Sequence, residues 1–170
     1  MVVFAVREAV ASDAAAMLRY AETLFAEPGL DLPVAPGEFQ LTVADEEAVI
    51  ADHASQPNAV FLLAVAEDGA ILGMLNCHGS ARKALRHSCE MGISVAKGHR
   101  GRGIGKALMR AMLDWARSAG VRRIELKVYA RNDHAIHLYR SFGFEAEGRR
   151  RRAVHQDGAY LDDLVMSLLL

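Results

Sequence analysis

The sequence predicts one mixed α/β domain, and three observations carry that prediction. Between Ser88 and Val128 a strand, a glycine-rich loop, a helix and a second strand follow one another, an order that requires a parallel strand pair with a right-handed crossover. Two hairpins are announced by Asp68-Gly69 and Asp157-Gly158, each lying between strand-like runs. The chain has 170 residues and is 52% hydrophobic, enough for one proper core at a size usual for one domain. No repeat, low-complexity tract or linker interrupts it, so the domain is expected to span residues 1–170.

The elements follow from local pattern. Val2 to Val6 is β-branched and suits a first strand. Ser12 is an N-cap candidate for a helix from Ala14 to Ala26 with Met17, Leu18, Ala21, Leu24 and Phe25 on its apolar face. Pro28, Pro33 and Pro36 with Gly29 and Gly37 then break the pattern, giving an irregular segment before a second helix capped at Thr42. Loops of that length in compact domains are often functional. Val60 to Ala66 and Ala70 to Cys77 make the first hairpin, and His78 to Arg86 reads as a polar loop. Ser88 to Val95 is the fourth strand, with Cys89, Met91, Ile93 and Val95 on one face and Ser88, Glu90, Gly92 and Ser94 on the other.

The helix that begins at Ile104 is expected to bury Leu108, Ala111 and Trp115 and to stop at Gly120. Ile124, Leu126 and Val128 form the fifth strand. Asn132 or Asp133 caps a short helix ending at Gly143, and Phe144 to Val154 with Tyr160 to Leu169 form the last hairpin. In all, about seven strands and about four helices are expected.

Several function classes are excluded or set aside. A formal net charge of −1 gives no global field to attract nucleic acid or an anionic membrane. Residues Met1 to Val10 lack a signal-like apolar core, and nowhere do eighteen apolar residues run together, so a cytoplasmic protein without membrane contact is expected. The two cysteines, Cys77 and Cys89, lie in apolar strand runs and read as free buried thiols. The seven histidines show no paired ligand spacing, and although His134 and His137 sit three apart on one helix, no metal is expected.

The chemistry concentrates in Gly98-His99-Arg100-Gly101-Arg102-Gly103-Ile104-Gly105-Lys106, between the fourth strand and the helix. First-turn N–H groups have no intrahelical partner and lie at the positive end of the helix dipole, so they can hold a phosphate oxygen. Glycines at 101, 103 and 105 let it approach the main chain. A Walker loop would need Ser or Thr after Gly105-Lys106, where Ala107 stands, and the dinucleotide fingerprint finds no third glycine at 106 or 108.

What remains, Arg100-x-x-Gly103-x-Gly105, resembles the pyrophosphate loop of the GNAT superfamily of acyl-CoA-dependent N-acyltransferases. A second segment, from Asn132 to Phe144, resembles that superfamily's Asn-x-x-Ala-x-x-Leu-Tyr-x-x-x-Gly-Phe motif, in its expected place after the fifth strand. The resemblance covers the chain well from Val60 onward and the first sixty residues only in helix order. It implies a GNAT-like central mixed sheet whose fourth and fifth strands splay apart, with the pantetheine arm of acetyl-CoA in the gap as if it were a strand. Unpaired strand amides there would be satisfied by a ligand that itself carries amides. By position, the resemblance assigns pantetheine to Ile93, Ser94 and Val95, and the pyrophosphate to Arg100, Gly101, Arg102, Gly103, Ile104, Gly105 and Lys106. It assigns a cofactor hydrogen bond to Asn132 and the general acid to Tyr139.

A neutral amine must attack the thioester and lose a proton. Some superfamily members carry a Glu for this on the fifth strand, where this sequence has Lys127. Glu90 on the fourth strand is therefore the candidate base, directly or through water, with Asp162 and Asp163 as further candidates. Glu22, Glu27, Asp31 and Glu38 near the proline segment are the residues that would attract a cationic amine, against a solubility role for a solvated face. Consecutive Arg149 to Arg152 would point two to each face of a strand, gripping a substrate carboxylate or guarding a sheet edge. The ending from Gly148 to Met166 looks like that of members that acetylate free amino acids or small amines. The function expected is acetyl transfer from acetyl-CoA to a primary amine of a small molecule or protein, with a homodimer as the other partner call. The alternative is a non-catalytic acyl-CoA sensor. RNA binding through the arginines finds no interleaved aromatics.

Overall fold

A computed structural model describes residues 3–30, 32–34 and 37–170. Seven strands form one sheet in the order β1-β2-β3-β4-β5-β7-β6. They are β1 (Phe4–Glu8), β2 (Val60–Ala66), β3 (Ile71–Gly79), β4 (Ser88–Val95), β5 (Arg123–Tyr129), β6 (Glu145–Gln156) and β7 (Ala159–Leu169). The helices are α1 (Ala14–Phe25), α2 (Val43–Ser55), α3 (Ile104–Ala119) and α4 (Asp133–Ser141). Among the described residues only β4 and β5 pair in parallel, as the crossover through α3 demands, and every other neighbouring pair is antiparallel.

The period of two along each strand divides the core between two layers. Leu62, Ala64, Leu75, Cys77, Cys89 and Met91 face α3 and α4 in the larger cluster. Leu63 points the other way, into a smaller cluster with Ala14 and Met17 of α1 and Ile50 of α2. The stripe that α3 buries is Ile104, Leu108, Met109, Met112 and Ala116, whereas Ala111 and Trp115, expected inside, are half-buried. The three methionine and alanine positions continue the turn-by-turn stack from Leu108, so the apolar face is centred one residue beyond the expected one. Cys77 and Cys89 are free and buried, and the adjacent Cys89 thiol together with burial pushes the Cys77 thiol well up.

Local signals set most boundaries. Thr42 caps α2, its Oγ1 accepting from Asp45 N at 3.2 Å, and Asn132 rather than Asp133 caps α4, its Oδ1 accepting from Ala135 N at 3.1 Å. Ser12 does not cap α1. Residues Ala11–Asp13 form a single 3-10 turn ahead of it, and the Asp13 carboxylate accepts from Val10 N at 2.9 Å and pairs with Arg7. The first strand begins at Phe4 and runs to Glu8, since Ala5, Val6 and Arg7 pair with β2. Val2, Asp31 and Pro36, named in the sequence reading, lie outside the described residues. The run from Arg149 to Arg152 does not alternate evenly: a bulge separates Arg150 from Val154 and Arg152 takes φ of 53°.

One buried amide fastens the loop after β3. Asn58 is 2% exposed and donates from Nδ2 to Ser80 O and Ser88 O, both at 3.2 Å. A Cβ on Gly79 would collide with that amide, so glycine is required beside it. Asn58→Ala would strand two carbonyls, each costing about 1–3 kcal/mol when buried without a partner. We expect a fall in melting temperature of several degrees by calorimetry, with the helix content unchanged.

Candidate active site

The β4–β5 ladder ends early. It holds Ser88↔Arg123, Cys89↔Ile124 and Glu90↔Glu125, and beyond Glu90 the strands separate while β4 continues to Val95 and β5 to Tyr129. On its other edge β4 stays paired with β3 as far as Gly73↔Val95, and Ala96 N donates to Leu72 O at 3.0 Å. Antiparallel ladders alternate, so this bond assigns the main chain of Ser94 and Gly92 to β3 and that of Ile93 and Val95 to the gap. Ser94 therefore offers the gap no backbone group, and its hydroxyl meets Tyr20 Oη at 3.0 Å. Ile93 N–H and C=O, with no partner strand beside them, are the edge a ligand can extend.

A cleft of about 810 Å³ opens at the gap and runs over the start of α3. Of the residues assigned from sequence, Ile93, Ser94, Val95, Arg100, Gly101, Gly103, Ile104, Gly105, Lys106, Asn132 and Tyr139 line it. Arg102 and Glu90 do not. Arg102 is exposed beside the loop and outside the cleft lining. Sequence reasoning did not assign Leu24, Gly29, Leu30 and Leu32, which roof the cleft from the end of α1 and the segment after it, nor His99, His134, His137 and Leu138. The length of that proline-rich segment was the available signal for the roof.

The geometry of the glycine loop depends on one backbone conformation. Gly103, the residue before α3, has φ of 87°, a left-handed value that glycine adopts without strain, and a Cβ there would meet nothing within 4 Å. The space beside it is open cleft. Gly105 is different: it is already helical, and a Cβ would make ordinary contact with Leu138 Cδ2 at 3.5 Å and Val95 Cγ2 at 3.9 Å. A methyl group would therefore fit between α3, α4 and β4, and packing does not by itself require glycine at 105.

Arg100 is committed within the protein. Its Nε donates to Val95 O at 2.9 Å and its Nη2 pairs with Glu27 Oε2 at 2.7 Å. Glu27 thus holds the cleft roof to the glycine loop instead of standing free for a cationic substrate. Tyr139 is 7% exposed, with its ring 6.0 Å from that of Phe144. Burial alone pushes its phenol up to about 12. Tyr20 is also pushed up to about 12, chiefly by burial, the Ser94 contact opposing.

The carboxylates named as bases have partners. Lys127 Nζ reaches across the gap to Glu90 Oε1 and Oε2, each at 2.9 Å, joining β4 to β5 where they part. Asp162 accepts from Arg149 Nε and Arg152 N, both at 2.8 Å, and these bonds hold its carboxyl below the usual range. Asp163 is 4% exposed and sits 3.0 Å from Arg150 Nε. The distance marks an ion pair, although the angle is too poor for Oδ1 to accept a hydrogen bond. Among the described residues no cluster of His, Cys, Asp and Glu could hold a metal ion, and no helix is long and apolar enough to cross a membrane.

The sequence is similar to that of the L-amino acid N-acetyltransferase AaaT of Escherichia coli, 36% identical over 104 residues, a match that spans 59% of this chain and 62% of that protein. It is also similar to an L-methionine sulfoximine/L-methionine sulfone acetyltransferase of Pseudomonas aeruginosa, 28% identical across 78% of this chain and 77% of the relative. In structure it resembles an acetyltransferase of the GNAT family from Streptococcus pneumoniae, with a TM-score of 0.93, 30% identity and 99% of each chain covered. The profile of the Acetyltransferase (GNAT) family matches residues 17–144, spanning the splayed strands, the glycine loop and α4. The chain therefore belongs to the GNAT family of acetyltransferases.

Proposed function

We propose that this protein transfers the acetyl group of acetyl-CoA to the primary amine of a small molecule, a free amino acid above all, by direct attack with donor and acceptor bound together. The observation that carries the reading is the parting of β4 and β5 beside a left-handed Gly103. It leaves one strand edge unpaired and one helix N-terminus bare in the same cleft. An amide-bearing arm fits the first feature by strand addition, and a diphosphate fits the second. The amino-acid class is supported by the two relatives that carry amino acids or amino-acid analogues in their names.

Acetyl-CoA supplies the thioester whose carbonyl carbon the amine attacks and whose sulfur departs. In this reading the gap-facing amides of Ile93 and Val95 hold the pantetheine arm, and the N–H of Ile93 donates to the carbonyl oxygen as charge develops there. The amides from Gly101 through Lys106 hold the pyrophosphate, and Asn132, whose Oδ1 is used by the α4 cap, keeps its NH2 group for the cofactor. Tyr139 keeps its proton throughout the working pH range and gives it to the leaving sulfur. A buried phenol near 12 is a weak acid, so the proton moves only as negative charge reaches the sulfur. Glu90, at the apex of the gap, takes the amine proton through water.

Thiol release from acetyl-CoA in the presence of a mixed amine panel tests the reading. Release that requires an amine supports it, while tight acetyl-CoA binding with no release under any amine leaves a sensor. The base is tested separately. Glu90→Gln is expected to lower catalytic efficiency by about a hundredfold at low pH, within the usual range for a general base. The defect should shrink as pH rises and solution deprotonates the amine. Parallel pH profiles for the two proteins would remove Glu90 from the role.

A further inference from the structure

We propose that Asn76, together with Lys127, selects acceptors carrying a carboxylate on the same carbon as the reacting amine. A free amino acid is then preferred to the same amino acid blocked as its amide. This selection rests on the acetyl-transfer reading above and assigns the acceptor side of that site.

Asn76 lies on β3 opposite Gly92 of β4, on the sheet face that also carries Ser94 and Glu90. A Cβ on Gly92 would stand 2.8 Å from Asn76 Oδ1, so the amide leans over Gly92 into room that only glycine leaves. The next pair on this face in one direction is His78↔Glu90, and in the other Met74↔Ser94, each about 7 Å along the strands. Asn76 thus lies one strand back from the gap, level with Gly92 and, along this face, between Glu90 and the Tyr20–Ser94 contact, next to the cleft and not in its lining. The residue is half-buried, and no group among the described residues hydrogen-bonds its amide. Its amide atoms stay open to solvent, so the Nδ2 donors can exchange water for an acceptor on a ligand. The neighbours of Asn76 say which kind. Glu90 and Lys127 stand 2.9 Å apart across the apex of the gap, one negative and one positive, both about one-third exposed at 36% and 37%.

An α-amino acid carries its amine and carboxylate on one carbon, so one small site must meet both. Glu90 meets the amine. Lys127 Nζ and Asn76 Nδ2 donate to the carboxylate, the first as a charge and the second as a directed hydrogen bond. An acceptor whose carboxyl is an amide brings a donor and no charge to the same place. A site built to bond a group rejects the analogue that lacks it, because its own polar atoms are left unpaired.

The test uses acetyl-CoA with each of the natural L-amino acids as probe, followed by the best of them and its α-amide. The wild-type protein is expected to favour the free acid in kcat/KM by about tenfold or more. Asn76→Leu and Lys127→Gln should each shrink that ratio by about tenfold, the loss of one good bond to a charged group. Asn76→Asp has the same shape and sets a carboxylate against a carboxylate, so it should turn the preference toward the amide. Acetyl-CoA affinity by calorimetry should stay within about twofold in all three variants, since none faces the phosphate loop. A wild-type ratio near one, or a ratio that none of the Asn76 variants moves, overturns the proposal. Turnover of amides or peptides but of no free acid overturns it while leaving acetyl transfer intact, and absence of thiol release with any amine removes both readings.

Discussion

Tyr139→Phe is expected to lower the single-turnover rate of acetyl transfer by about a hundredfold or more, the usual contribution of a positioned general acid. The substitution keeps the ring, which is 93% buried by its 7% exposure and packed near Phe144, so folding and acetyl-CoA affinity should hold. Only the hydroxyl is lost. Because burial raises the phenol to about 12, its neutral form is favoured and the proton is retained from low pH up to that value. The wild-type rate should therefore show no alkaline decline from this group below about pH 11, well past the region where a free phenol near 10 would titrate. Single-turnover kinetics are the deciding measurement, since slow product release can hide a chemical defect in the steady state. A variant as fast as wild type would leave Tyr139 a packing residue.

Gly103→Val is expected to weaken acetyl-CoA binding by about a hundredfold, the loss of one or two charge-assisted bonds to phosphate. Two effects act together. A β-branched residue resists φ of 87° and would pull the loop out of shape at a cost of about 1–3 kcal/mol. In the native backbone its Cβ would project into open cleft, where none of the described residues lies within 4 Å and where the ligand would approach. Gly98→Ala is the matched control, because Gly98 has open space about its Cβ position without a left-handed φ, and little change is expected there. Isothermal calorimetry on well-folded proteins decides the matter. Equal affinities for Gly103→Val and wild type would remove the phosphate-loop assignment.

Much of the site was legible because backbone and side-chain chemistry coincide there. A helix N-terminus behind glycines is suited to a phosphate by its own geometry, and the Asn132 cap can be inferred from residue type and spacing alone. The face alternation of β4 placed Glu90, Gly92 and Ser94 together correctly. What spacing does not encode is which charges meet. Glu27 and Arg100 are 73 positions apart and Lys127 and Glu90 are 37, so neither ion pair has a local signature. Those pairings withdrew Glu27 from the substrate and gave Glu90 a fixed cation.

The sequence by itself determined the strand and helix order, the parallel β4–β5 pair, the cap of α2 and the two motifs that mark the family, because each depends on residues within one turn, one hairpin or one crossover. Tertiary structure alone decided where β4 and β5 part, after Glu90↔Glu125. It also decided which β4 amides face the gap, since that follows from the register against β3 and not from β4 itself. The Asn76 amide over Gly92 belongs to the same class: two residues 16 positions apart become neighbours only through strand pairing, and one of them must be glycine because the other fills its side-chain space.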